Sequence, residues 1–355
     1  MQRSPGQPTV LPEDAVRPYA KQRDAHVESL RAGLHLVTKD RLPRNEVRPF
    51  TKLRRGAYAY DGQQLEEADA LILLACAVEA KAQTPPVFAQ GTAAAIWGFP
   101  VVGRIPHRVE DVVPPDSHGR APQARRRRTS IDADYVIIGG LRVTTCERTV
   151  IDHARYAPLE SAIAMIDSAI RCGVTARRAL LAELESLPKG TRGCRMATLA
   201  VYLADPKAES VLESLSRARM FQLGLPRPQL QVEFTDRRGL VGRVDFYWPQ
   251  LEIVGESDGM SKYVAAEGVS AREAVDVVLR EKERELRLRR SNGVRDVLRW
   301  GWNDALRPGL LFEVLAAGGV RPVLDGGWSL PDGPLPRTAF AERGTYPPSG
   351  VERRP

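Results

Sequence analysis

The segment Gly242-Arg243-Val244-Asp245-Phe246 and, soon after it, Leu251-Glu252-Ile253-Val254-Gly255-Glu256-Ser257-Asp258-Gly259 decide how this chain is read. Both are apolar strands carrying carboxylates, and the Trp248-Pro249 turn between them predicts a strand pair. That turn brings Asp245 near Glu256, with Asp258 two residues further on. Carboxylates at the ends of apolar strands are unfavourable unless something pairs with them. Several together imply a divalent cation with oxygen ligands, Mg²⁺ or Mn²⁺. Beside a basic surface, such a metal suggests phosphodiester chemistry.

Working outward, Asp205-Pro206 marks a boundary, and a helix over Ala208–Leu223 follows it. Glu213 on that helix is placed to give a third oxygen ligand or to hold a water, whereas Glu209 reads as a solvated first-turn acid favoured by the helix dipole. Strands at Gln229–Phe234, Leu240–Phe246 and Leu251–Glu256, a charged helix at Ala271–Arg290 and a strand at Val294–Trp300 complete an αβββαβ order. For Asp245 a second reading stays open, a plain surface pair with Arg243, which shares its face of the strand. Arg280, Lys282 and Arg284 on the charged helix have two readings: phosphate contacts, or a solvated face laced by pairs such as Glu283–Arg287.

The chain has 355 residues, enough for two or three domains, and its net charge of +8 favours a polyanionic partner. Residues 1–60 hold twelve Lys or Arg against six Asp or Glu, a local +6. Arg54, Arg55 and Tyr58 surround a turn glycine in Leu53-Arg54-Arg55-Gly56-Ala57-Tyr58, which predicts a short basic hairpin, the wing of a winged helix touching DNA. The alternative is a hairpin packed on its own domain. The run Arg125–Arg128 lies in a Pro-rich neighbourhood and reads as a solubilising loop rather than a nucleic-acid clamp. Cys76, Cys146, Cys172 and Cys194 show no metal-ligand spacing, so they and His153 read as packing residues. The longest apolar run, Ala70–Val78, is too short to span a bilayer, and no apolar leader is seen. A cytoplasmic protein with no membrane partner is expected.

Two family resemblances add to this reading. Glu213–Arg217, Gly224–Pro228, Gly242–Phe246, Gly255–Gly259, Lys262-Tyr263 and Val297–Trp302 resemble the PD-(D/E)XK nuclease fold, in the branch related to very-short-patch-repair endonucleases. The resemblance implies that Asp245 and Glu256 hold the metal with help from Glu213. At the position two beyond Glu256, where the motif carries lysine, stands Asp258; Lys262 is then the candidate catalytic cation. Relatives in that branch place a histidine nearby, and this chain has none after His153. Arg54–Tyr58, Thr92–Pro100 and Thr144–Asp152 resemble the AbiEi-like antitoxins of type IV toxin–antitoxin systems, which implies a DNA-binding winged helix and a cognate toxin as partner.

The expected architecture is therefore a multidomain α/β protein. A flexible arm covers 1–20, a winged-helix-like unit 21–85, a mixed α+β AbiEi-like domain 86–204, a restriction-endonuclease-like αβββαβ core 205–325, and a disordered tail 326–355. The expected function is metal-dependent DNA hydrolysis in phage defence or DNA processing. The competing reading is a non-enzymatic antitoxin-like regulator with a degenerate nuclease domain.

Overall fold

The computed structural model describes residues 17–36, 50–54, 57–60, 65–113, 124–128, 135–259, 271–323, 326–330 and 333–334. The chain divides into two compact units, Met1–Ala204 and Asp205–Pro355.

In chain order the first unit comprises α1 (Arg17–Ala32), β1 (Leu34–His35), β2 (Phe50–Arg54), β3 (Ala57–Tyr60), α2 (Glu67–Glu79), β4 (Val87–Phe88) and α3 (Gln90–Trp97). There follow β5 (Val109–Val113), β6 (Ala124–Arg128), β7 (Tyr135–Ile138), β8 (Leu141–Thr144), α4 (Cys146–Ala154), α5 (Leu159–Arg171), α6 (Arg177–Ser186) and α7 (Cys194–Leu203). One sheet runs β1-β3-β2; the other, of five strands, runs β6-β5-β4-β8-β7. Helix α3 lies at the core, its Thr92–Trp97 stretch wholly buried. It stops at Gly98, whose φ of 72° gives the left-handed turn that closes helices.

Carbonyls of the last turn take donors from α1, Ala95 in addition to the Gly98 N–H that it accepts at 2.9 Å. Arg23 donates to the oxygens of Ile96 (3.0 Å) and Ala95 (2.9 Å), and the Tyr19 hydroxyl donates to that of Trp97 (2.6 Å). Asp24 and Arg31 bond the backbone of Gly139 in the same way. Residues 21–85 and 86–204 both lie within the compact unit Met1–Ala204. Two expectations change. Helix α1 begins at Arg17, inside the stretch read as a flexible arm, and Arg125–Arg128 belong to a strand rather than a loop. Pro158 does split the long helix, serving as N-cap of α5 because it cannot donate to the preceding turn.

The second unit comprises α8 (Val211–Gln222), β9 (Gln229–Asp236), β10 (Gly239–Trp248), β11 (Ile253–Asp258), α9 (Ala271–Arg289), β12 (Asp296–Gly301), α10 (Trp302–Leu306), α11 (Pro308–Ala317), β13 (Ser329–Leu330) and β14 (Gly333–Pro334). From α8 to β12 this is the αβββαβ order that the apolar periodicity predicted. Its sheet runs β12-β11-β10-β9, antiparallel except for the parallel β11–β12 pair that α9 connects. Phe246 packs against Trp248 and Trp300, and the Trp300 indole donates to Ser216 of α8 at 2.8 Å. A second cluster joins Val244, Val254, Val297 and Leu288 of α9. Gly255 is required beneath the tryptophans, since a Cβ there would lie 2.6 Å from the Trp300 ring. The disordered tail expected from 326 starts too early. Trp328 is buried, donates to the Leu225 carbonyl at 2.7 Å and meets Phe221 edge to face; residues 335–355 lie outside the described residues.

Candidate functional site

The β10–β11 ladder runs only from Trp248↔Ile253 to Phe246↔Gly255, whereas β11 stays paired with β12 as far as Asp258↔Gly301. Beyond Gly255 the β10 side of β11 needs other partners, and Asp245 supplies them. Its Oδ2 accepts the Ser257 backbone N–H at 2.9 Å and the Ser257 hydroxyl at 2.8 Å. A carboxylate replaces a ladder hydrogen bond at the point where the two strands part.

Glu256, next to Ser257, is buried and held on both oxygens. Arg284 of α9 is bidentate to it, with Nη2 2.7 Å from Oε1 and Nη1 3.2 Å from Oε2. Arg299, its register partner on β12, adds Nη2 at 2.9 Å from Oε2. The same guanidinium reaches Glu281 at 2.7 Å, Glu285 at 3.3 Å and Asp258 at 3.3 Å. Burial alone would favour a neutral Arg299, but Glu281, Asp258 and Glu256 outweigh it and hold its pKa above the ordinary value.

Glu213 approaches from α8, whose N-cap Ser210 accepts the Glu213 N–H. Its Oε2 accepts from the Glu209 N–H at 2.9 Å and from Gln231 Nε2 at 2.8 Å. Burial raises the Glu213 pKa; the Asp245 charge adds to that, and the hydrogen bonds from Glu209, Ser210 and Gln231 work against it. Gln231 itself stands at φ 55°, left-handed for a residue inside a strand, between the register pairs Val244↔Val232 and Phe246↔Leu230. Strain of this kind collects at sites where side-chain position matters.

Three of the carboxylates expected at the site are thus brought into one neighbourhood, but the donor set does not fit a divalent cation. Such an ion needs several anionic oxygens turned toward one point without a competing cation. Here two guanidinium groups already stand on Glu256, and Asp245 and Glu213 are turned to protein donors. Among the described residues no group of three or more His, Cys, Asp or Glu forms a metal-holding cluster.

The other expected site residues are distributed as follows. Asp258 pairs with Arg299, and Lys262 lies outside the described residues. Arg280 and Lys282 are on the exposed side of α9, whereas Arg284 is turned to the sheet and pairs with Glu256. Arg54 ends β2, opposite Ala57, and Arg55 lies outside the described residues. Tyr58 is only 7% exposed, paired with His35 and Lys52 inside the small sheet; burial removes it from the DNA-contact set. Arg243 pairs not with Asp245 but with Glu209, at 2.6 Å. Arg299 was missed from sequence. Its signal was the Val-Leu-Arg-Trp strand, an arginine in an apolar run, which implies a buried partner.

The class defined by this geometry is an α/β protein whose second unit centres on a carboxylate–arginine network. Similar proteins include Uncharacterized protein Rv2248 of Mycobacterium tuberculosis strain H37Rv and Uncharacterized protein MT2308 of strain CDC 1551 / Oshkosh. Each is 30% identical over 173 residues, which is 48% of this chain and 61% of the relative. The chain thus spans less than two thirds of the length of these relatives. No protein-family model and no solved structure matches it. No helix among the described residues is long and apolar enough to cross a membrane.

Proposed function

We propose that this protein is a DNA-binding regulator whose second unit has a nuclease-like arrangement of strands and carboxylates but does not hydrolyse DNA. The observation that carries the reading is the double hold of Arg284 and Arg299 on Glu256. Those fixed positive charges stand where a catalytic cation would have to approach, and they neutralise Glu256 without one. DNA contact is supported by the charge of residues 1–60 and by the β2–β3 hairpin, whose chain reversal follows Arg54. In this reading the partners are duplex DNA and, by the antitoxin resemblance, a cognate toxin.

A second reading, a Mg²⁺- or Mn²⁺-dependent endonuclease in phage defence or DNA processing, is favoured by one observation. Asp245 and Glu256 stand at the parting of β10 and β11, and Glu213 is close enough for the Asp245 charge to raise its pKa.

One experiment separates the two. The full chain is mixed with labelled duplex, single-stranded and mismatched DNA, with and without Mg²⁺ or Mn²⁺. The regulator reading expects salt-sensitive binding to duplex, no strand scission and no metal heat in calorimetry. Metal-dependent nicking that disappears in both Asp245→Asn and Glu256→Gln, with circular dichroism unchanged, would replace it with the endonuclease.

A further inference from the structure

Within the second unit, a cavity of about 430 Å³ lies against β9, with Gln229, Gln231, Asp205, Lys207 and Arg227 in its wall. We propose that this cavity binds a nucleoside monophosphate, its phosphate held by Lys207 and Arg227 and its base by the Gln229 carboxamide. The site goes beyond the regulator reading and does not depend on it.

The volume falls in the range of small-ligand pockets, about 300–1,000 Å³. Asp205 is the one acid among the lining residues, against two cations. Its Oδ1 accepts the Lys207 backbone N–H at 3.1 Å, and its Oδ2 faces Arg227 Nη2 at 3.5 Å, longer than an ordinary hydrogen bond. The Lys207 ammonium is exposed and has no ion-pair partner among the described residues. Arg227 is braced rather than loose. Its backbone N–H donates to the Gly326 carbonyl at 2.7 Å, and its guanidinium lies 5.9 Å from the centre of the buried Trp328 ring. A guanidinium already held in place loses less freedom when it binds an anion. A phosphate monoester brings three acceptor oxygens, enough for a guanidinium fork and an ammonium together, where a carboxylate brings two.

The carboxamides point to the rest of the ligand. Gln231, at φ 55°, donates one amide proton to Glu213 at 2.8 Å. Gln229 is exposed and makes no side-chain hydrogen bond among the described residues. Such a group offers a donor beside an acceptor, the pattern that pairs with the N6/N7 edge of adenine. Pro228, Leu230 and Val232 add apolar wall for a ring. The plainer explanation is a pair of solvated surface cations. An arginine braced on a tryptophan beside an unbonded carboxamide is more than that explanation requires.

The test titrates the full chain with AMP in a calorimeter. AMP should bind at one site per chain, with adenosine and inorganic phosphate each at least about tenfold weaker. Lys207→Gln and Arg227→Gln should each weaken AMP by about tenfold, the loss of one charge-assisted contact. Lys207 has no side-chain partner to lose, so its variant decides the matter even where Arg227→Gln, which gives up the Trp328 contact, does not fold. Gln229→Met should weaken AMP but leave inorganic phosphate unchanged. No heat with AMP, GMP, CMP or UMP at millimolar concentration overturns the proposal, as does AMP affinity unchanged in Lys207→Gln. Glutarate binding as tightly as AMP overturns it in favour of a carboxylate ligand such as an acidic peptide. Duplex DNA that displaces AMP, and that binds more weakly to the same two variants, makes the cavity part of a DNA surface and also overturns it. Duplex binding by the wild-type chain is followed separately, and its absence bears only on the regulator reading.

Discussion

Glu256 and Arg299 face each other across the parallel β11–β12 register and are joined by a 2.9 Å ion pair. The carboxylate is almost wholly buried, so its charge depends on Arg299 and Arg284 rather than on water. Removing one member of a fully buried pair typically costs about 3–5 kcal/mol. Here Glu281, Glu285 and Asp258 remain to hold Arg299. Glu256→Gln should therefore destabilise the protein by roughly 2–3 kcal/mol in urea unfolding. A loss below about 0.5 kcal/mol would place the contact with ordinary surface pairs.

His153 sets an acid limit on the first unit. Its Nε2 lies 2.9 Å from the Ser161 hydroxyl, which also accepts the Val102 N–H at 3.0 Å, and burial lowers its pKa to about 4. Unfolded histidine titrates near 6.5, so between about pH 6.5 and pH 4 the unfolded chain binds the extra proton. Stability is complete above that window and falls as pH drops through it, by on the order of 3 kcal/mol. His153→Gln should flatten this part of the melting-temperature profile. An equally steep fall in the variant would show that other groups cause it.

Gln231 provides a test of backbone strain. Its φ of 55° suits glycine and is costly for a β-branched residue. Gln231→Val should cost roughly 2 kcal/mol more than Gln231→Gly in denaturant titrations. Both changes remove a donor from Glu213, so both should move the Glu213 carboxyl resonance to a higher titration midpoint by NMR. A midpoint that stays put would mean that Gln231 does not hold the carboxylate in solution.

Arg23→Ala should lower stability by roughly 2–3 kcal/mol, because two buried carbonyls at the end of α3 lose charged donors. Gly98→Ala acts at the same place by another route. It strains a φ of 72° and puts a Cβ 2.7 Å from the Arg23 guanidinium. If the two sites are coupled, the double variant costs less than the sum of the singles; strict additivity in the cycle would deny the coupling.

Apolar pattern made the order of the second unit legible: β10 alternates, burying Val244, Phe246 and Trp248 on one face, and the short apolar run at Ile253-Val254 marks β11, which is buried on both faces. Turn residues made the endings of α3 and α5 legible through Gly98 and Pro158. The arginine hold on Glu256 was not, since it needs the β11–β12 register and the crossover of α9, both set by contacts far apart in sequence. Nor was β6. A run of identical arginines has no alternation to read, and its partner β5 lies across a Pro- and Gly-rich stretch. Tyr58 misled for a related reason: a basic hairpin and a hairpin with one buried aromatic have the same local sequence.

Tyr19 and Arg23 also bear on how such a chain is assembled over evolution. A module joined to its neighbour by a tether alone can be exchanged whole in a single recombination event. Here a foreign segment ending near residue 85 would arrive without the hydroxyl and guanidinium that close α3, removing the donors of the Ile96 and Trp97 carbonyls and leaving Ala95 only the Gly98 N–H. Crossovers there are disfavoured, while a junction at 204/205, between the compact units, leaves this closure untouched. Among homologues, the first two hundred residues should therefore be inherited as a block, with shuffling concentrated at that later junction.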